Sequence, residues 1–162
     1  MPITIDDLTV DFRHLERERV LEDWRWLIGP AKQPIVLSAI GDAFVQDEAD
    51  GSVWLLDVAA AEVFQVAGSV EEFQAKLADR EFVMNHLAVE AVVDLQANGK
   101  RLEAGQIYSY RHPPYLGGEI AFDNIEPCDI SVHFATLGQI AERAKDLPAG
   151  AEIDRFEIRD PP

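Results

Sequence analysis

Three groups of residues in this 162-residue chain have the types and spacing to carry chemistry. His86, Glu90 and Asp94 recur at i, i+4 and i+8, so on one helix an imidazole and two carboxylates would project together and could hold a cation. That side lies opposite a Met84, Leu87 and Ala91 stripe, where a globular helix carries its polar residues, and a single helix offers no closed coordination sphere. The triplet reads as a solvated face. Cys128, Asp129 and His133 supply the types needed for a thiol nucleophile, an orienting carboxylate and a base. Pro127 pins Cys128 ahead of the helix expected to carry His133, and no Gly-rich turn adjoins it to supply oxyanion donors. The thiol reads as a small buried hydrophobe, and His133, beside Leu137 and Ile140, as a satisfied core histidine.

The third group is Arg111–Glu119, RHPPYLGGE. Pro113 and Pro114 fix two φ angles and hold His112 extended, while Gly117-Gly118 lets the chain reverse, so the segment is a rigid excursion between two strands. It is not a phosphate loop: no Gly-Lys-Ser/Thr follows, no helix N-terminus adjoins Gly118, and Glu119 repels anions. Tyr110, Arg111, His112, Tyr115 and Glu119, with Tyr108 beside them, gather amphipathic side chains at one rim, a composition suited to protein contact. Trp26, displaced by about 200° from the apolar stripe of its helix, is either a cover for the core rim or a sixth contact residue. The sequence thus offers no catalytic, cofactor or metal constellation. An enzyme would have to draw on His112, His133, Glu119 and Asp129.

Bulk charge narrows the partners. Thirty acidic residues against 14 basic give a formal charge of −16 at pH 7, which disfavours nucleic acid and anionic membrane surfaces and favours a basic protein partner. The longest apolar run, Trp54–Ala61, is interrupted by Asp57 and falls short of the ~20 residues that span a bilayer. A lone Cys128 and no signal-like N-terminus point to a reducing cytoplasm. The oligomeric state is left open.

The elements that must position these residues follow from periodicity. Thr4-x-x-Asp7 opens a helix, and Leu8, Phe12, Leu15, Val20, Leu21, Trp24, Leu27 and Ile28 extend helical spacing over residues 5 to 28, in one or two pieces, up to Gly29-Pro30. From Pro34 the period becomes 2: Ile35–Ser38, Ala43–Gln46, Ser52–Leu56 and Glu62–Val66 read as an antiparallel meander punctuated by Gly41-Asp42 and Asp50-Gly51. Ser69-Val-Glu-Glu72 is a capping box for a helix to about Leu77. A second helix runs from Arg80 with Met84, Leu87, Ala88, Ala91, Val92 and Leu95 on one face, ended by Asn98-Gly99. Strands are expected at Gln106–Tyr110 and Ile120–Asn124, with Pro127 stopping the latter. A last helix starts near Asp129 to Ser131, carries Ile130, Phe134, Leu137, Ala141 and Ala144, and ends at Pro148–Gly150, with a tail frayed beyond about residue 158. The expectation is one α+β domain over residues 1–162, its mostly antiparallel sheet (the meander plus C-terminal strands) packed against helices.

With the elements in place, the segments WRWLIG, LSAIGDAFV, SVWLLDV, EEFQAKL, GQIYSYRHPPYLGGE, FDNIEPCDISVHFATLGQI and KDLPAGAEI, in this order, resemble the bacterial family related to the C-terminal domain of type VI secretion immunity proteins. The resemblance runs from Trp24 to Ile153, without the large extra N-terminal domain of some relatives. The meander is also similar to the wider SUKH superfamily of immunity proteins. The resemblance implies an α+β protein that neutralises a secreted or contact-delivered toxin, often a nuclease, and it brings no catalytic or metal residues. The SUKH likeness implies as an alternative a regulatory or scaffolding module for an endogenous partner.

Overall fold

A computed structural model describes residues 3–147 and 158–161. Five antiparallel strands form one sheet in sequence order: β1 (Thr9–Val10), β2 (Lys32–Ser38), β3 (Ala43–Asp47), β4 (Val53–Asp57) and β5 (Glu62–Ala67). A second sheet pairs β6 (Gln106–Tyr110) with β7 (Ile125–Asp129). Helices α1 (Ile5–Leu8), α2 (Arg25–Ile28), α3 (Val70–Leu77), α4 (Arg80–His86), α5 (Val89–Ala97) and α6 (Ile130–Ala144) surround them. The expected α+β class is what the chain adopts.

The meander follows its turn chemistry. At Asp50-Gly51 the amide of Ser52 donates to Asp50 Oδ1 (2.9 Å) and Gly51 N–H to Asp47 O (2.8 Å), closing the β3–β4 hairpin. Alternation along each strand then sends side chains to two different cores. Phe44, Val53 and Leu55 point to α3–α5, where Phe44 lies 4.8 Å from Phe73 and 6.2 Å from Phe82 between ring centroids. Ala43, Val45 and Leu56 point the other way, to Trp24, Phe134 and Leu137. The sheet is therefore the middle layer between helices on both faces, and each large apolar side chain it buries contributes roughly 2 kcal/mol.

Four sequence expectations are corrected. Residues 5–28 are not helical throughout: α1 stops after one turn, and Thr9-Val10 joins the sheet opposite Ser38 and Leu37, because two consecutive β-branched residues find an open strand edge there. Asp11 then accepts from the Arg13 amide (2.9 Å), a local turn that competes with helix, and Arg17 Nε donates to Pro34 O (2.8 Å). Residues 80–97 form two helices, broken at Ala88, which sits in the left-handed region (φ 49°). The break turns Val89, Val92 and Leu95 into the core and leaves Met84 exposed, with Phe82 taking the expected Met84 place.

The strand expected at Ile120–Asn124 is displaced to Ile125–Asp129, with a 3-10 turn over Phe122–Asn124. Pro127 lies inside β7 opposite Tyr108 at a non-hydrogen-bonded position, where its missing N–H costs the ladder nothing. The Tyr108 amide is correspondingly free to donate outward to Ala39 O (2.8 Å), tying the second sheet to the end of β2. The fourth correction concerns the tail: Arg159 is anchored, its amide donating to Gln139 Oε1 (2.8 Å) while Gln139 Nε2 donates to Arg159 O (3.1 Å). The expected helix stop at Pro148–Gly150 lies outside the described residues. Among the described residues no helix is long and apolar enough to cross a membrane.

Helix α6 does start where expected, with Asp129 Oδ1 accepting from the Ser131 and Val132 amides at 2.9 and 3.2 Å. Its Gly138 sits against the 3-10 turn Glu22–Trp24, where an added Cβ would lie 2.6 Å from Asp23 O. Backbone cannot yield as a flexible side chain would. Gly138→Ala is expected to lower stability by about 2 kcal/mol in urea unfolding; an unchanged midpoint would show that the two elements can separate freely.

Candidate functional site

His133, expected as a satisfied core histidine, is 1% exposed and bridges two partners. Its Nε2 lies 2.8 Å from Gly41 O, and its Nδ1 lies 2.7 Å from Ser109 Oγ. A carbonyl only accepts, so Nε2 carries the proton and Nδ1 accepts from the serine hydroxyl. Burial pushes the imidazole down to about 4, opposed in part by the bond to Gly41. Both ring nitrogens are occupied, so His133 is in no position to serve Cys128 as a base. The Cys128 thiol, half-buried in β7, is raised by burial and by Asp129 next to it, and Asp129 is engaged as the cap of α6. These three residues do not form a nucleophilic site.

Beside the bridge, Asp42 receives the Val58 amide on Oδ1 (2.9 Å). Burial first, then the charge of Asp57, pushes its carboxyl up to about 8, with the Val58 bond opposing. Tyr110 faces the same pair: burial, then Asp42 and Asp57, raise its phenol. The triplet His86, Glu90 and Asp94 is split by the Ala88 break, with the His86 ring on α4 tilted 52° to that of Phe82 at 4.6 Å between centroids. Among the described residues no group of three His, Cys, Asp or Glu side chains is placed to hold a metal ion.

The Arg111–Glu119 loop is rigid, as its prolines predict, and its clamp is Asn124. The Asn124 side chain donates to His112 O (2.9 Å) and Glu119 O (2.7 Å) and accepts from His112 N (2.9 Å). Gly118 passes so close to His112 O that a Cβ would overlap it at 1.9 Å. His112 and Glu119 share a shallow depression of about 310 Å³ with Asp123. The other expected contact residues go elsewhere. Arg111 pairs with Glu126. Tyr115 donates its hydroxyl to Leu137 O (2.8 Å), and Trp26 donates Nε1 to the adjoining Gly138 O (3.2 Å) while stacking on Trp24 (5.9 Å). Trp26 and Tyr115 thus brace α6 from the core rim.

A different concavity has the charge that composition alone could not place. An open groove of about 440 Å³ lies between α1–β1 and residues 101–106. Asp6, Asp7, Asp11 and Glu103 wall it, Val10 and Leu102 lie within it, and Arg101 is its only Lys or Arg. His14 borders this groove and two further depressions, of about 200 and 580 Å³, reaching Ser131 and Asp129. Of these groove residues the sequence had pointed only to Asp129, as a catalytic candidate, and to Tyr108, beside the contact rim. The groove joins segments almost a hundred positions apart, and no local motif reveals that.

Residues 67–141 match the family described as T6SS immunity protein Tdi1, C-terminal, which is the resemblance read from the sequence, and the match covers α3 through most of α6. No curated protein matches the chain. The crystal structure of Atu4351 from Agrobacterium tumefaciens is similar with a TM-score of 0.56 and 18% identity, over 77% of this chain and 65% of that chain. That likeness shows a shared fold. β1 and the Asp6, Asp7 and Asp11 side of the groove lie outside the family-matched segment, whereas Glu103 and the Arg111–Glu119 loop lie within it.

Two outcomes follow from the buried groups. Tyr115→Phe removes the bond to Leu137 O and is expected to cost about 1 kcal/mol in thermal or urea unfolding; no change would leave Tyr115 free for another role. The pH dependence has two opposing parts. The folded His133 resists protonation, so its contribution is complete above about 6.5 and is lost as pH falls towards 4. Asp42 is reversed: its protonated form favours the fold, so its contribution is complete below the unfolded value of 3.8 and is lost as pH rises through 8. Asp42 retains some solvent exposure, which moderates the effect. Asp42→Asn keeps an acceptor for Val58 N–H, and its stability is expected to gain on the parent by about 2 kcal/mol between pH 5 and pH 8. Parallel stability curves for the two proteins would remove Asp42 from this account.

Proposed function

We propose that this chain is a non-enzymatic immunity protein that neutralises a basic toxin by docking an acidic surface against it. The observation that carries the reading is the match of residues 67–141 to a T6SS immunity family. The formal charge of −16 supports a cationic partner, because opposed potentials raise the association rate and reject like-charged competitors. A nuclease, whose substrate-binding cleft is basic, is the toxin class this charge suits.

The acidic groove supplies a concave negative surface for that contact. His112 and Glu119, fixed by the Asn124 clamp, supply a second, preorganised rim with Arg111 beside it. Trp26 and Tyr115 serve this reading by bracing α6 through Gly138 O and Leu137 O. The engaged state of His133, Cys128 and Asp129 favours binding over catalysis.

The experiment is co-expression with the effector encoded beside this chain's gene. Growth arrest by the effector alone and recovery with the chain is the expected result, together with a purified complex whose association slows about tenfold between low and half-molar salt. Failure of both rescue and complex formation would sink the reading.

A further inference from the structure

The groove beside β1 has one feature that charge does not supply: a strand edge on which no described residue forms a further strand. Ala39 N donates to Leu8 O (2.8 Å), and Thr9 and Val10 lie opposite Ser38 and Leu37. In that register Leu8 and Val10 occupy the hydrogen-bonded positions, so the N–H and C=O of Thr9 point away from β2. β1 is the terminal strand of its sheet, and Thr9 lines the groove. The apolar side chains of Val10 and Leu102 line the groove together with carboxylates, notably Asp6 and Glu103.

We propose that this groove receives an extended, basic segment of the partner protein, which adds beside β1 through the Thr9 main chain. Alternate side chains of such a segment point to opposite sides, so one set covers Val10 and Leu102 while the other meets the carboxylates. Charge complementarity selects Lys or Arg for that second set. An isolated cationic side chain would use the walls and leave the strand edge unpaired. The inference rests on the toxin-binding reading and specifies which surface and which backbone conformation it uses.

The test uses the full chain and a defined probe, acetyl-Lys-Val-Lys-Val-Lys-Val-amide, titrated at low salt and followed by amide NMR. Saturating shifts centred on Thr9, Val10 and residues 101–106 are expected. Methylating alternate peptide nitrogens, which deletes the donors without altering charge, is expected to weaken binding about tenfold. Asp6→Asn with Glu103→Gln removes two charges from the groove walls and is expected to weaken it about threefold per carboxylate. Equal binding by the methylated peptide, binding by the Glu-Val counterpart, or shifts spread over the whole surface would each overturn the proposal. If the peptide fails while the growth rescue holds, the groove assignment falls and the immunity reading stands. If the peptide binds the groove and the rescue fails, the opposite holds.

Discussion

His133 is where three separate pieces of chain are joined by one side chain. It reaches from α6 to the turn after β2 through Gly41 O and to β6 through Ser109 Oγ. The main sheet, the second sheet and the longest helix therefore share a buried polar contact, in addition to the Tyr108–Ala39 bond between sheets. Buried bonds of this kind contribute modestly when made and cost more when one partner is left alone, so the junction tolerates few alternatives. Gly41 is part of the same constraint. Its φ is +99°, and an added Cβ would lie 2.7 Å from the His133 ring and 2.8 Å from Tyr108 O. A side chain at 41 would push apart the groups that the imidazole holds together.

From that junction the rest of the positions follow. With α6 fixed, Trp26 and Tyr115 reach successive carbonyls of the helix, Gly138 O and Leu137 O. With β6 fixed to Ala39, the Gly105–Gln106 end of β6 stands beside α1 and β1, and the space between them is the acidic groove. The Arg111–Glu119 loop leaves the other end of β6, so the groove and the loop belong to opposite ends of one strand.

The parts legible in the sequence are those with local causes. The meander carries an Asp-Gly turn and a period of 2, α3 has its Ser69 cap, and α6 has Asp129 ahead of a clean apolar stripe. The errors have a shared origin in patterns that fit two structures. Leu8, Phe12 and Leu15 have helical spacing, yet Thr9 and Val10 find a strand edge supplied by residues 37–38. Ala88 adopts positive φ without being Gly or Asn, and nothing in its type announces a break. Pro127 looked like the end of a strand because its tolerance depends on which side of β7 faces β6. For the site, the rigidity of the Pro-Pro loop was readable, whereas the roles of Trp26 and Tyr115 as braces depended on where α6 would lie.

The charge distribution links stability to recognition. A formal charge of −16 on a chain of this size repels itself, and that repulsion is a standing cost to the compact state. The fold meets it with two apolar cores and with buried polar groups that hold no net charge, such as the neutral His133. The Asp6 and Glu103 carboxylates are not neutralised in that way, because they stand at a wall open to solvent with Arg101 as the groove's one Lys or Arg, whereas Asp11 already pairs with Arg13 (2.7 Å). A cationic partner seated there would lower the self-repulsion that folding left in place, so part of the attraction comes from relief of strain already present in the free protein. Desolvation limits that gain for any carboxylate that becomes fully buried. The most favourable contact therefore keeps the charges at a wet edge and places apolar groups over Val10 and Leu102, which separates steering from anchoring within one groove.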